Sequence, residues 1–236
     1  MINIRYCVFN LFEEHTYVAW LTPGRCVIVD PGCREGAEQQ ALLDLLEKES
    51  LTPEAVLLTH AHIDHIFGVK ALQGRFGIPV YMHPADTAAL DYNAKMAERF
   101  HLKLPGNGFD WTPVRDGQVL ELAGMRFEVI TTPGHTPGCV CYLEREQGVL
   151  FTGDTLFAGS IGRTDFPYSE YDDEIRSILE KLLPLDPDIT ILPGHGSPST
   201  IGHERTHNPF LEPFNEPEDP TDEDLEPVVI HGRTSE

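Results

Sequence analysis

Residues 57–68 read LLTHAHIDHIFG, which places three histidines and an aspartate within six positions directly after an apolar run. Imidazole nitrogen and carboxylate oxygen are the donors that zinc, iron and manganese accept, and packing alone gives no reason to gather four of them at the end of a strand. One metal does not easily take all four. His60 and His62, two apart in an extended backbone, lie on one side, whereas Asp64 and His65 follow after a turn into a helix and face a neighbouring point. The spacing suggests two adjacent sites. Three further polar residues stand in similar places, each after an apolar strand and among glycines or prolines: His135 in VITTPGHTPG, Asp154 in VLFTGDTLF and His195 in TILPGHGSP. Glycine beside such a residue lets the backbone take positive φ and approach closely, as a side chain aimed into a crowded metal centre requires. Of the other histidines, His203 and His207 have the i, i+4 spacing a helix could use for a metal; the rest read as surface or structural.

The elements that must position these residues can be read from periodicity. Strand-like runs at 3–9, 16–21 and 25–29 begin a meander, and apolar residues at 37, 41, 42, 45 and 46 mark an amphipathic helix. AVLLT then reads as a buried strand ending at the cluster, IDHIFGVKALQGRFG as a second helix, PVYM as a strand and ADTAALDYNAKMAERF as a third helix. After a loop-rich stretch come strands expected at 118–122, 125–131, 139–143 and 148–151, and SEYDDEIRSILEKLL is the last helix, with Ser169 as its expected N-cap. DITILP is the final buried strand. The order meander, helix, strand, helix occurs in both halves, which suggests an internal structural duplication.

The net charge of −21 argues against nucleic-acid binding, since phosphate contacts need clustered Lys and Arg. Residues 212–236 alone carry nine Asp or Glu against one Arg, with frequent prolines, and are expected to form a disordered acidic tail after a domain spanning 1–211. Five cysteines without framework spacing fit reduced, buried thiols. With no apolar run of membrane-spanning length and no secretory signal at the start, no membrane association is expected and a cytoplasmic location is.

THAHIDH, DPG at 30–32, TPGHTPG, FTGDTLF and PGHG resemble, in order, the motifs of the metallo-β-lactamase superfamily over about residues 2–211. The resemblance implies an α+β fold, a four-layer αβ/βα sandwich with two metals at one edge. It also implies that His60, His62 and His135 bind the first metal, that Asp64, His65 and His195 bind the second, that Asp154 bridges them, and that Asp30 supports the metal loop. GDTLFAGSIGRTDFP and STIGHERTHNPFL resemble glyoxalase II (hydroxyacylglutathione hydrolase) of the short bacterial type. The implied chemistry is hydrolysis of a small-molecule thioester, such as S-lactoylglutathione or a related acyl thiol, by a hydroxide shared between two divalent metals, zinc first and iron or manganese as alternatives. Asp64 would orient that hydroxide. Arg163 is a candidate cation for a substrate carboxylate, or else a structural partner of Asp165, and Tyr168 a candidate for the entrance. Two rival readings share these residues: a persulfide dioxygenase of the same superfamily with one iron on His60, His135 and Asp154, and a non-catalytic metal-binding module.

Overall fold

The computed structural model describes residues 1–103, 108–212 and 214. The tail expected from 212 onward lies, apart from residues 212 and 214, outside the described residues. Six strands form the first sheet in sequence order: β1 (Asn3–Phe9), β2 (Glu14–Trp20), β3 (Arg25–Val29), β4 (Thr52–Leu57), β5 (Val80–Met82) and β6 (Thr112–Pro113). β7 (Val119–Leu122), β8 (Met125–Thr131), β9 (Val140–Glu144) and β10 (Val149–Gly153) begin the second, and β11 (Leu156–Phe157) and β12 (Ser160–Ile161) pair as a small ribbon. β13 (Thr190–Pro193) and β14 (Ser199–Thr200) complete the second sheet in the order β14-β13-β10-β9-β8-β7.

Antiparallel hairpins start each sheet, and parallel pairing enters where helices cross over. α1 (Ala37–Lys48) links β3 to β4, α2 (Ile63–Ile66) and α3 (Val69–Phe76) link β4 to β5, and α4 (Thr87–Arg99) links β5 to β6. In the second half α5 (Tyr171–Ser177) lies between the parallel strands β10 and β13, and α6 (Ile201–His207) follows β14. Meander, helix and strand thus recur in both halves, as their sequence order suggested.

Both sheets are covered on both faces, which is why their strands are apolar at consecutive positions rather than alternating. The period of two sorts the side chains. Tyr17, Ala19, Val27, Val29, Ala55 and Leu57 of the first sheet meet Val140, Tyr142, Val149, Phe151 and Leu192 of the second. On the far side of the first sheet, Val18, Cys26, Ile28 and Val56 pack with Leu42, Leu46, Val69, Leu72 and Ala89 of the helices. Cys141, Leu143, Leu150 and Ile191 of the second sheet pack with Ile178, Leu182 and Ile201. Helix, sheet, sheet and helix make the four layers. At about 1.5–3 kcal/mol for each large side chain fully buried, these three clusters dominate what holds the fold. All five cysteines are free, and four are buried. Among the described residues no helix is long and apolar enough to cross a membrane.

Two tyrosines tie the sheets at the strand ends that matter. Tyr17 of β2 donates from its hydroxyl to the Pro193 carbonyl at 2.7 Å, just before His195. Tyr142 of β9 donates to the Leu58 carbonyl at 2.9 Å, just before His60. Each bridge crosses to the opposite sheet. Tyr142→Phe leaves a buried carbonyl without its donor, and the expected loss is about 1–3 kcal/mol of unfolding free energy in urea titration with no change in slope.

Two expectations need correction. The helix expected to run on from Ile63 is broken at Gly68, where the backbone comes so close to the 31–33 loop that a Cβ would stand 2.4 Å from the Cys33 Sγ. Gly68 N–H instead donates to the Pro31 carbonyl at 2.7 Å. Ser169 is not the cap of α5, because its hydroxyl donates to the His135 carbonyl at 2.6 Å and the helix starts two residues later. The same helix continues as a π-helical turn over Ile178–Leu182.

Candidate metal centre

Every residue singled out at a strand end arrives at one edge of the sandwich, beyond the carboxyl ends of β3, β4, β8, β10 and β13. That is where open sheets with parallel strands expose side chains and backbone to a ligand. β4 ends at Leu57, the chain runs extended through His60 and His62, and α2 then turns Asp64 and His65 to the neighbouring point.

The donor atoms form two groups. His60 Nε2 lies 3.1 Å from His62 Nδ1, and His135 Nε2 lies 2.9 Å from that same Nδ1. His195 Nε2 stands 3.4 Å from Asp64 Oδ2, and His65 Nε2 stands 3.7 Å from it. Asp154 sits between the groups. Its Oδ2 is 3.6 Å from His135 Nε2 and 3.5 Å from His195 Nε2, and its Oδ1 is 3.5 Å from His65 Nε2. At Gly194 a Cβ would fall 2.4 Å from Asp154 Oδ1, so here the glycine beside a candidate ligand serves close approach.

Outer partners fix which imidazole nitrogen faces inward. His135 Nδ1 must donate to the Arg163 carbonyl at 2.8 Å, which leaves the Nε2 lone pair for the centre. His65 Nδ1 meets Asp30 Oδ2 at 3.1 Å, and Asp30 also accepts from Thr59 N–H at 2.8 Å and Thr59 Oγ1 at 2.6 Å. Asp30 itself has φ 48°, a left-handed backbone from which its carboxylate reaches both Thr59 and His65. His62 Nε2 pairs with the Tyr168 hydroxyl at 2.7 Å. Tyr168 therefore stands behind His62 rather than lining the cleft. Arg163 does reach the cleft, but its guanidinium makes two bonds of 2.6 Å to Asp165 and lies 4.8 Å over the Phe166 ring.

The donor set fits a metal ion on one physical criterion. His65 Nε2 and Asp154 Oδ1 are buried and have no hydrogen-bond partner, although buried polar atoms are almost always paired. Both point into the gap between the two groups, and a cation there would satisfy both. Burial, reinforced by the neighbouring imidazoles, pushes His60 and His62 well below the usual histidine range, so their lone pairs are free. Burial acts the same way on His65 and His195, but Asp154 and Asp64 override it and hold both up.

A cleft of about 300 Å³ opens over the centre, walled by Phe12, Phe100, Phe157 and Phe166 and floored by His62, Asp64, His135, Asp154 and His195. Several buried groups around it escaped sequence reasoning. Glu14 and Asp86 are fully buried acids with carboxyls raised by burial, Asp86 to about 6, and Asn93 is a buried amide. Glu174, raised by burial to about 9, accepts from His135 N–H at 2.7 Å. Only Glu174 left a signal: it stands four and eight residues before Ile178 and Leu182, on the stripe that α5 and its π-turn bury. His203 and His207 stack at 4.6 Å on the exposed side of α6, away from the centre.

The model of the metallo-beta-lactamase superfamily matches residues 10–195, a span that begins before β2 and ends on His195. The chain belongs to the metallo-beta-lactamase superfamily. As a metallo-hydrolase of this superfamily it is 38% identical over 216 residues to a protein named hydroxyacylglutathione hydrolase GloC from Haemophilus influenzae, covering 89% of this chain and 98% of that one. Among superfamily structures, BLEG-1 B3 metallo-beta-lactamase superposes with a TM-score of 0.81 at 36% identity, covering 89% of this chain and all of that one. TTHA1623, solved in a di-iron-bound form, gives 0.78 at 36% identity, covering 88% and 100%. Superfamily members bind metal ions, and among the described residues the clusters able to do so include His60, His62 and His135 and, beside them, Asp64, His65 and His195.

Proposed function

We infer that this chain is a binuclear metallohydrolase that cleaves a thioester, S-lactoylglutathione or a related acyl thiol. The observation that carries the reading is Asp154, whose two oxygens face both donor groups at 3.5–3.6 Å. The relative named hydroxyacylglutathione hydrolase supports the thioester class. His60, His62 and His135 would hold one metal, Asp64, His65 and His195 the other, with Asp154 between them and zinc as the first candidate. Bound there, the pair supplies an activated water and a Lewis acid for the carbonyl.

The chain's own residues do the rest. Asp64, at the floor of the cleft with its Oδ2 held near His195, orients the attacking water as well as ligating. Asp30, Tyr168 and the Arg163 carbonyl hold the imidazoles in the tautomers that ligate. The phenylalanine walls seat the acyl group and exclude bulk water, which strengthens each charge below. Arg163 is already committed to Asp165, as Arg34 is to Glu38 at 2.8 Å and Lys103 to Glu35 at 2.9 Å, so Lys70 in the adjoining groove is the cation offered to a carrier's carboxylate. Phe100 lines the cleft, and the following His101 lines a groove of about 720 Å³ together with Arg34, Lys70 and Lys103.

The test is metal content per chain by plasma mass spectrometry on protein purified without added metal, with hydrolysis of S-D-lactoylglutathione and of a neutral acyl thioester measured on the same sample. Two metals with turnover of both, and a lower KM for the glutathione ester, is the expected result. One iron with O₂ consumed on glutathione persulfide and no hydrolysis would place the chain with the mono-iron dioxygenases. Metal without either turnover would leave a metal-binding module.

A further inference from the structure

His60 and His62 flank a single peptide, that of Ala61, and both polar groups of Ala61 are claimed by side chains from one helix and its entry turn. The Ala61 N–H donates to Asp86 Oδ2. The Ala61 carbonyl accepts from Asn93 Nδ2 at 2.9 Å. Asp86 and Asn93 are both fully buried. Asp86 occupies the N-cap position of α4, yet its carboxylate makes no bond to its own helix. It reaches instead to Ala61 and, through Oδ1, to the Gly138 N–H at 3.1 Å.

Gly138 closes the loop that carries His135, and it packs so tightly that a Cβ would lie 2.5 Å from the Asp86 nitrogen. One carboxylate therefore joins the loop of His60 and His62 to the loop of His135, which come from opposite halves of the chain. The second donor group has supports that α4 does not supply, although Asp30 also reaches His60 Nδ1 of the first group through Thr59 Oγ1 at 3.1 Å. Asn10 Nδ2 donates to the Asp64 carbonyl at 3.0 Å, and Asp30 takes His65 Nδ1 at 3.1 Å.

We propose that Asp86 and Asn93 are positioning residues for the first metal group alone, His60, His62 and His135, so that α4 sets the occupancy of that group independently of the second. The proposal rests on the two-metal reading. Helix rigidity passes to the two histidines through the one peptide between them, and an imidazole displaced by a few tenths of an ångström no longer meets its partners around a common centre.

Asn93→Ala removes the donor to the Ala61 carbonyl without touching a ligand. Metal per chain is measured after dialysis against a weak chelator, with the melting temperature of the metal-free protein as the check on folding. The expected result is one metal in Asn93→Ala where the unaltered chain holds two. Adding His62→Ala should then cost no further metal, while adding His195→Ala should remove the remaining one. Asp86→Asn, which can accept from only one of its two backbone donors, should give the same pattern. Two metals retained in both variants, or both metals lost together, overturns the proposal. One metal in the unaltered chain would instead overturn the binuclear reading on which it stands. If metal-free Asn93→Ala melts well below the unaltered chain, Asn93→Ser, which keeps a hydroxyl donor, is read by the same criteria.

Discussion

Asp154→Ala abolishes turnover, by about 10³-fold or more in kcat/KM, and drops metal content below one ion per chain while the protein stays folded. The effect is that large because Asp154 is shared. Its oxygens lie 3.5–3.9 Å from His60, His65, His135 and His195, so on the two-metal reading removing one carboxylate strips a ligand from both groups at once and neither would keep its ion. A 10³-fold loss is about 4 kcal/mol of transition-state stabilisation, within reach of losing the ion that would activate the water. Far-UV circular dichroism unchanged from the parent, with activity and metal both lost, is the expected signature. Full metal content and full turnover in Asp154→Asn would overturn the bridging role.

Glu174→Gln stabilises the metal-free protein in alkaline solution and not in acid. Burial raises the Glu174 carboxyl from 4.5 to about 9, despite the hydrogen bond from His135 N–H that favours its charged form. A carboxyl whose folded pKa lies above its unfolded pKa binds more protons in the folded state between the two values. Stability is then full below about pH 4.5 and falls as pH climbs toward 9, at up to about 1.4 kcal/mol per unit. Glutamine keeps the acceptor for His135 N–H and cannot ionise. The two proteins should melt together below about pH 4.5 and separate as pH rises, with the variant higher by roughly 10 °C or more at pH 8.5, as expected for up to ~5 kcal/mol in a chain of this size. Parallel melting curves across that range would mean that Glu174 is charged in the fold. Glu174→Ala, which removes the acceptor, should lose metal as well.

Much of this centre was legible because ligands must be polar, must converge and must stand where backbone is free of sheet pairing. HAHIDH, His135, Asp154 and His195 all meet those conditions, and the structure brings them to one edge. The longer strands and most helices were legible from apolar periodicity, to within a few residues, whereas the two-residue strands β6, β11, β12 and β14 are too short to show a period. The break at Gly68 was not, since it depends on the approach of the 31–33 loop, a contact remote in sequence. Ser169 misled for a related reason: a hydroxyl suited to cap a helix found a carbonyl in the His135 loop instead. Asp86 is the same lesson reversed, an acid at a helix start whose carboxylate serves two distant peptides. Tyr168 and Arg163 were legible as neighbours of the site and not in their orientation. Side-chain direction in that loop is set by Asp165, Phe166 and His62, which no local pattern encodes.

The two hydroxyl bridges between the sheets, Tyr17 to Pro193 and Tyr142 to Leu58, lie directly under the places where each half hands its ligands to the other. His60, His62, Asp64 and His65 come from the first half, and His135, Asp154 and His195 from the second, so neither half owns a complete coordination sphere. Metal content is therefore a gauge of assembly. A chain whose halves have folded but not docked offers the ion only the donors of the first half, such as Asp30, His60 and His65, and holds it with its full set of ligands only when the seam has closed.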